Sequence, residues 1–197
     1  MIHLDLAGPD TRLCSTLCAA CPVGPTGCCT APPEHDWSDI GRVVAHGGRD
    51  FLLAEIARGN LVPVARGLTI RRVKKRESPL APRRSKCVYH GAEGCTIAPG
   101  LRPATCNYFL CDDAYREGGE GRGDGSAVAA RAAHGALAGL YQGWDRALGE
   151  AVRTRWPEGV PWDGAFLDWL GAAYTALATA TSAKVFHEVR GLPTESG

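Results

Sequence analysis

Nine cysteines, Cys14, Cys18, Cys21, Cys28, Cys29, Cys87, Cys95, Cys106 and Cys111, lie in the first 111 residues of this 197-residue chain; the remainder has none. Thiols bunched in this way are paired as disulfides, buried singly, or gathered on a metal. The odd count, and a chain long enough to bury its own core, weigh against a disulfide framework. Adjacent Cys28 and Cys29 do not bridge readily, because a disulfide sets its Cα atoms about 5.5 Å apart along suitable Cβ vectors. Unrelated core thiols have no reason to cluster at spacings of two to four residues. Metal ligation is therefore the leading reading. Cys18-Ala-Ala-Cys21 lets two thiolates converge on one centre, and thiols from elsewhere complete a tetrahedral set. A centre that joined this segment to the group Cys87, Cys95, Cys106 and Cys111 would close a long loop, coupling metal to folding. All-thiolate ligation is soft and selects zinc or an iron–sulfur cluster over magnesium or calcium. Spacing does not separate those two.

The order of the pieces is more specific than any one of them. Cys18-Ala-Ala-Cys21 and Cys28-Cys29 are followed by an aspartate-led helical segment from Asp36 to His46. Cys87-Val-Tyr, Cys95-Thr-Ile and Arg102-Pro103-Ala104-Thr105-Cys106 come next. This order resembles the CxxCxxCC, or YkgJ-like, cysteine-cluster family, described as a zinc- or iron-chelating domain, over residues 14 to 111. The chain departs from that pattern in three places. The spacer PVGPTG between Cys21 and Cys28 is longer, Ala98 stands where the family has tyrosine, and one extra residue precedes Arg102. The resemblance implies the ligand set Cys18, Cys21, Cys28, Cys29, Cys87, Cys95, Cys106 and Cys111. It implies an iron–sulfur cluster of the [4Fe–4S] kind, with zinc as the alternative. Cys14 falls outside the set. The function expected is metal binding in a redox or structural role.

The competing reading is a metal-dependent enzyme that modifies a peptide or protein side chain. Some flagellin lysine methylases carry a similar cysteine cluster. Cys14-x-x-x-Cys18-x-x-Cys21 also has the spacing of a radical S-adenosylmethionine cluster, and Gly118-Gly119-Glu120 echoes that superfamily. Against it, Ala20 stands where an aromatic is expected, and the Gly-Gly-Glu triplet lies in a polar run rather than ending an apolar strand. Repeated strand–helix units for a barrel are lacking. No Ser-His-Asp order, glycine-rich phosphate loop or His-Glu-x-x-His helix is present.

The fold expected is mainly α with little β: an irregular Cys-rich metal-binding lobe over 1–115 plus a C-terminal antiparallel helical hairpin over 124–191, packed as one unit. Residues 1 to 35 read as a loop broken by Pro22, Pro25, Pro32 and Pro33. Asp36 is a natural N-cap for a helix carrying Ile40, Val43 and Val44 and stopped by Gly47-Gly48. A second helix runs from Asp50 to Arg58, and a strand-like stretch from Leu68 to Val73 follows. The glycine-rich run REGGEGRGDG reads as a hinge. Beyond it, Ala130, Ala133, Leu137, Leu140, Trp144, Ala147 and Ala151 recur at helical spacing until Trp156-Pro157. Phe166, Leu170, Tyr174, Leu177 and Val185 form a second such stripe from about Asp163, read as core packing.

Net charge is +1, from 22 basic and 21 acidic residues, which argues against a uniformly basic nucleic-acid binder. From Arg66 to Lys86, however, nine basic residues face one acid, Glu77. That run reads as solvated surface that also offsets a negative metal–thiolate centre, with nucleic acid as the lesser alternative. His90, between Cys87 and Cys95, is a candidate neighbour of the centre rather than a ligand. No apolar run approaches the length of about 18 residues needed to span a membrane, and the start MIHLDLAGPDTRLC lacks a secretory pattern. A cytoplasmic protein with a protein or peptide partner, and none in membrane or nucleic acid, is the expectation.

Overall fold

The computed structural model describes residues 1–20, 27–75, 84–91 and 94–190, with the backbone alone at 19, 20, 75, 84 and 182–190. The chain begins with β1 (Ile2–Asp5) and β2 (Arg12–Ser15), followed by α1 (Trp37–Ala45) and α2 (Arg49–Ala57). Six short strands come next: β3 (Leu61–Val64), β4 (Gly67–Ile70), β5 (Arg72–Lys75), β6 (Arg84–Cys87), β7 (His90–Gly91) and β8 (Gly94–Cys95). The helices α3 (Thr105–Tyr108), α4 (Asp112–Glu117), α5 (Gly125–Arg155) and α6 (Gly164–Arg190) complete it. The fold is mainly α with little β, as the periodicity predicts. Consecutive strands pair as four separate antiparallel hairpins among the described residues. There too, no helix is long and apolar enough to cross a membrane.

The helix signals act where they stand in the sequence. Asp36 caps α1 by accepting from the Asp39 amide at 2.8 Å. Asp124 caps α5 through the amides of Ser126 and Ala127, at 3.0 and 3.2 Å. Asp163 accepts from the Phe166 amide at 2.8 Å at the start of α6. The two long helices lie antiparallel, and the Trp144 indole donates to Thr181 Oγ1 across them at 2.7 Å.

Three expectations need correction. Residues 1–35 are not all loop, because β1 and β2 form a hairpin with Ile2 opposite Ser15 and Leu4 opposite Leu13. Ile2 and Leu13 are buried there, β1 against α5. The alternation covers only four residues per strand, too little to outweigh Gly8-Pro9-Asp10 when read locally. The strand-like stretch 68–73 divides at Arg71, so that β4 pairs with β3 and β5 with β6. The glycine-rich run is a tight reversal: Gly119 and Gly123 take φ of +98° and +74° around a 3-10 turn at Glu120–Arg122. Arg131 of α5 ties it down, reaching Glu120 at 2.7 Å and Asp112 at 3.0 Å.

α1 lies against both long helices, closest to α6. Facing glycines make that approach possible. A Cβ on Gly41 would stand 2.5 Å from Tyr174 Cβ and 3.1 Å from the Leu170 carbonyl oxygen; one on Gly171 would stand 2.5 Å from Val44 Cγ1. Tyr174 Cβ is fixed to its helix backbone and cannot swing away. Gly41→Ala should therefore destabilise the fold by about 1–3 kcal/mol, despite the higher helix propensity of alanine. The check is urea unfolding: the midpoint should fall at constant m, and an unchanged midpoint would show that the helices separate freely.

Candidate metal centre

The segments bearing the cysteines are pinned to α1. Its Asp39 accepts from the Ala104 amide at 2.6 Å through Oδ1. Arg42, fully buried, donates to the Arg102 carbonyl and pairs with Asp10 at 3.0 Å. The His35 ring, just before α1, bonds the Leu101 carbonyl oxygen at 3.2 Å, and that oxygen can only accept, so Nε2 carries the proton. Asn107 Nδ2 donates back to Pro99 oxygen at 2.9 Å, closing the loop before α3. The chain between Cys95 and Cys106 is thus held from several sides by main-chain contacts.

Four cysteines from four segments lie around this frame, Cys29 and Cys106 each within electrostatic reach of Cys87 and Cys95. Cys29 sits on a 3-10 turn (Gly27–Thr30), Cys87 ends β6, Cys95 ends β8, and Cys106 lies on α3. β6 packs directly against the turn. Burial pushes the Cys29 thiol up to about 11, and the neighbouring Cys87, Cys95 and Cys28 push the same way, with the Arg102 charge opposing. Cys106 is an exposed residue, yet desolvation by the packed surroundings pushes its thiol up to about 12, followed by the charges of Asp39, Cys95, Cys29 and Cys87. Cys87 and Cys95 are the companions that Cys29 and Cys106 share. Both groups are therefore held as neutral thiols, and a cation among them would favour the thiolate form. Arg102 supplies one fixed positive charge, with its Nε donating to the Ile97 carbonyl at 2.8 Å.

The other cysteines implied by the resemblance have different placements. Cys28 is exposed beside Cys29 and acts on it electrostatically. Cys18 is exposed on the 3-10 turn Thr16–Ala20, which packs against α4, and half-buried Cys111 is the residue before that helix. Cys21 lies outside the described residues. Cys14 is exposed on β2, directly opposite His3. His90 is the cross-strand partner of Cys95. Among the described residues, no three His, Cys, Asp or Glu side chains close on a single ion-sized centre. The donor type is chemically right for a soft metal.

Two contributors were not legible as such. Arg102 reads in the sequence as part of an Arg-Pro motif, and only the fold sets its charge against Cys29. Asp39 reads as a first-turn acid of α1, a common stabilising position. Its influence on Cys106 arises from tertiary packing. The basic run of 66–86 supplies β5 and β6, with Lys86 buried and Arg72 exposed. A search of family models, curated proteins and solved structures finds no match to this chain.

Proposed function

We propose that this protein binds a metal centre of the iron–sulfur kind through Cys29, Cys87, Cys95 and Cys106, in a redox or structural role. What supports the reading is that Cys29 and Cys106, on separate segments, both lie within electrostatic reach of Cys87 and Cys95. The resemblance to the cysteine-cluster family points the same way. Zinc, the alternative occupant, holds thiolates at about 2.3 Å and so draws their sulfurs to about 3.8 Å of one another. A cluster interposes iron and sulfide and accepts a wider set. Such a cluster would supply one-electron transfer or a cross-link between segments. The chain's own part is to hold the loop before α3 rigid and to set Arg102 against the negative charge of a tetra-thiolate centre.

Metal content decides it. Protein from anaerobic, iron-replete cells should be brown and contain acid-labile sulfide, because zinc is d10 and colourless. Cys29→Ser and Cys106→Ser should lose the metal, whereas Cys14→Ser should retain it in full. Colourless protein with stoichiometric zinc would reject the iron–sulfur assignment. Full metal content in both Cys29→Ser and Cys106→Ser would reject the centre itself. An empty Cys14→Ser would instead favour the radical-cluster reading, in which Cys14 is one of only three ligands.

A further inference from the structure

The run from Arg66 to Lys86 carries an excess of eight positive charges on a chain whose net charge is +1, so the remainder is seven negative. Charge segregated to this degree calls for an anionic partner. A tetra-thiolate centre carries about two negative charges and would leave most of the excess unmatched. Read by itself the run makes nucleic acid the lesser alternative. The strand register and the state of the exposed cations change that.

The fold turns the run into a two-stranded antiparallel ribbon, β5 with β6. Its register sets Val73 opposite Lys86 and Lys75 opposite Arg84. Like charges directly opposite one another destabilise a strand pair, and a ribbon selected for stability alone would set an acid at one of the two positions. Breaks of a local rule of this kind concentrate where a surface has work to do. Val73 is half-buried and Lys86 buried, whereas Arg72 and Lys74, which share the other face, are exposed. Arg71, just before β5, is exposed as well.

These exposed cations are not spent inside the protein. Arg12 pairs with Asp5 at 2.7 Å, Arg49 with Asp168 at 3.1 Å, and Arg66 with Asp145 at 2.6 Å. Arg71 instead donates through Nε and Nη2 to Asn60 Oδ1, at 3.2 and 2.6 Å. That acceptor is neutral, so it fixes the side chain and leaves its charge uncompensated. Arg72 and Lys74 form no ion pair with any described residue.

The ribbon lacks what other anionic partners ask for. A single strand is held by aromatic side chains on which its bases stack, and an acidic protein needs an aromatic or apolar anchor at the centre of the interface. A lipid surface takes up apolar side chains as well as charge. β5 reads Arg-Val-Lys-Lys and β6 Arg-Ser-Lys-Cys, with no aromatic residue in either. A duplex asks only for cations on a shape that follows its grooves. Two strands about 4.8 Å apart enter the major groove of B-form DNA, about 12 Å wide, whereas that of A-form RNA is too narrow.

We propose that the β5–β6 ribbon is a docking surface for duplex DNA, with Arg71, Arg72 and Lys74 neutralising phosphates of its backbone. The test is the anisotropy of a fluorescein-labelled DNA duplex of mixed sequence, titrated with the full chain as purified. Saturable binding is expected, with Kd of about 1–100 μM at about 150 mM salt and log K falling against log salt with a slope of about −3, or about −0.9 for each phosphate. Arg72→Gln combined with Lys74→Gln should reduce the slope by about two and the affinity by about tenfold or more. Should that variant fail to fold by circular dichroism, Arg71→Gln takes its place, with the slope reduced by about one. Arg153→Gln, which removes an exposed cation of α5, should change neither quantity. No saturable binding by the wild type at about 50 mM salt overturns the proposal, as does an unchanged slope in the ribbon variant. An equal loss in Arg153→Gln overturns the placement on the ribbon. Equal affinity for single-stranded DNA, an RNA duplex, polyglutamate or anionic phospholipid vesicles overturns the assignment to duplex DNA.

Discussion

Phe166→Ala should remove about 3–5 kcal/mol of folding free energy, a large share of the 5–15 kcal/mol typical of a domain. Phe166 is 1% exposed and is the hub of an aromatic cluster joining α1, α6 and the connection before α6. It stands edge-on to Trp156 at 5.0 Å, to Trp162 at 5.4 Å and to Trp37 at 6.1 Å, and stacks with Trp169 at 6.5 Å. Truncation leaves a cavity walled by four indoles too wide to collapse into it. Each lost ring pair adds about 0.5–1.5 kcal/mol to the transfer cost, though not additively. Four of the five tryptophans of the chain sit at this cavity, so their emission should change along with the stability. Trp144 lies elsewhere, edge-on to Tyr174 at 5.4 Å, and should be unaffected. Urea unfolding followed by far-UV circular dichroism and by fluorescence reads both effects. A loss below about 1 kcal/mol would mean that the cluster repacks and that Phe166 is not its hub.

Acid should destabilise the protein through His35 by about 3 kcal/mol between pH 7 and pH 4. The ring is fully buried, and burial lowers it from the ordinary 6.5 to about 4, with the Arg42 charge acting the same way and the Leu101 carbonyl opposing. Nδ1 has no partner, so a proton placed there would be a buried donor without an acceptor. The unfolded chain takes up that proton near pH 6.5, and the folded chain only near pH 4. Stability is therefore full above 6.5, falls as the pH drops through that window, and levels off below it. A difference of about 2.5 units at about 1.36 kcal/mol each sets the size. Asp36 and Asp39 work in the opposite sense, because their carboxyls are raised in the fold and protonate before those of the unfolded chain. The difference between wild type and His35→Gln isolates the histidine. The variant's stability should be flatter across the window, and parallel curves would show that the ring titrates normally.

Much of the fold was legible because helix starts and stops are encoded within one turn. Asp36, Gly47-Gly48, Asp124, Asp163 and Trp156-Pro157 act on their immediate neighbours, and α1, α5 and α6 begin or end beside them. The β1–β2 hairpin was not legible, since four-residue strands say little until Ile2 and Leu13 find a core. The division of 68–73 at Arg71 was hidden for a similar reason. It depends on which strands lie alongside, the Arg71 amide bonding Asn60 and its carbonyl accepting from Val88.

The same line runs through the sites. The sequence by itself determined that all nine cysteines fall in the first 111 residues and that the remainder carries the period of an apolar helical pair. Residue type and local spacing suffice for that, because ligand softness and helical period are properties of the side chains and of the nearest turns. Only the tertiary structure decided which thiols influence one another: Cys29 and Cys106 both lie within electrostatic reach of Cys87 and Cys95, while Cys18 and Cys111 lie on other elements. Closing a loop costs entropy that rises only slowly with its length, so spacing barely separates one set of distant partners from another. The polar contact at the start of α1 has the same origin. The Trp37 amide and the Asp145 carboxylate that it binds are 108 residues apart, and no local signal joins them. Their meeting follows from the burial of α1 against α5 and α6, where the fit of Gly41 to Tyr174 sets how closely the helices approach.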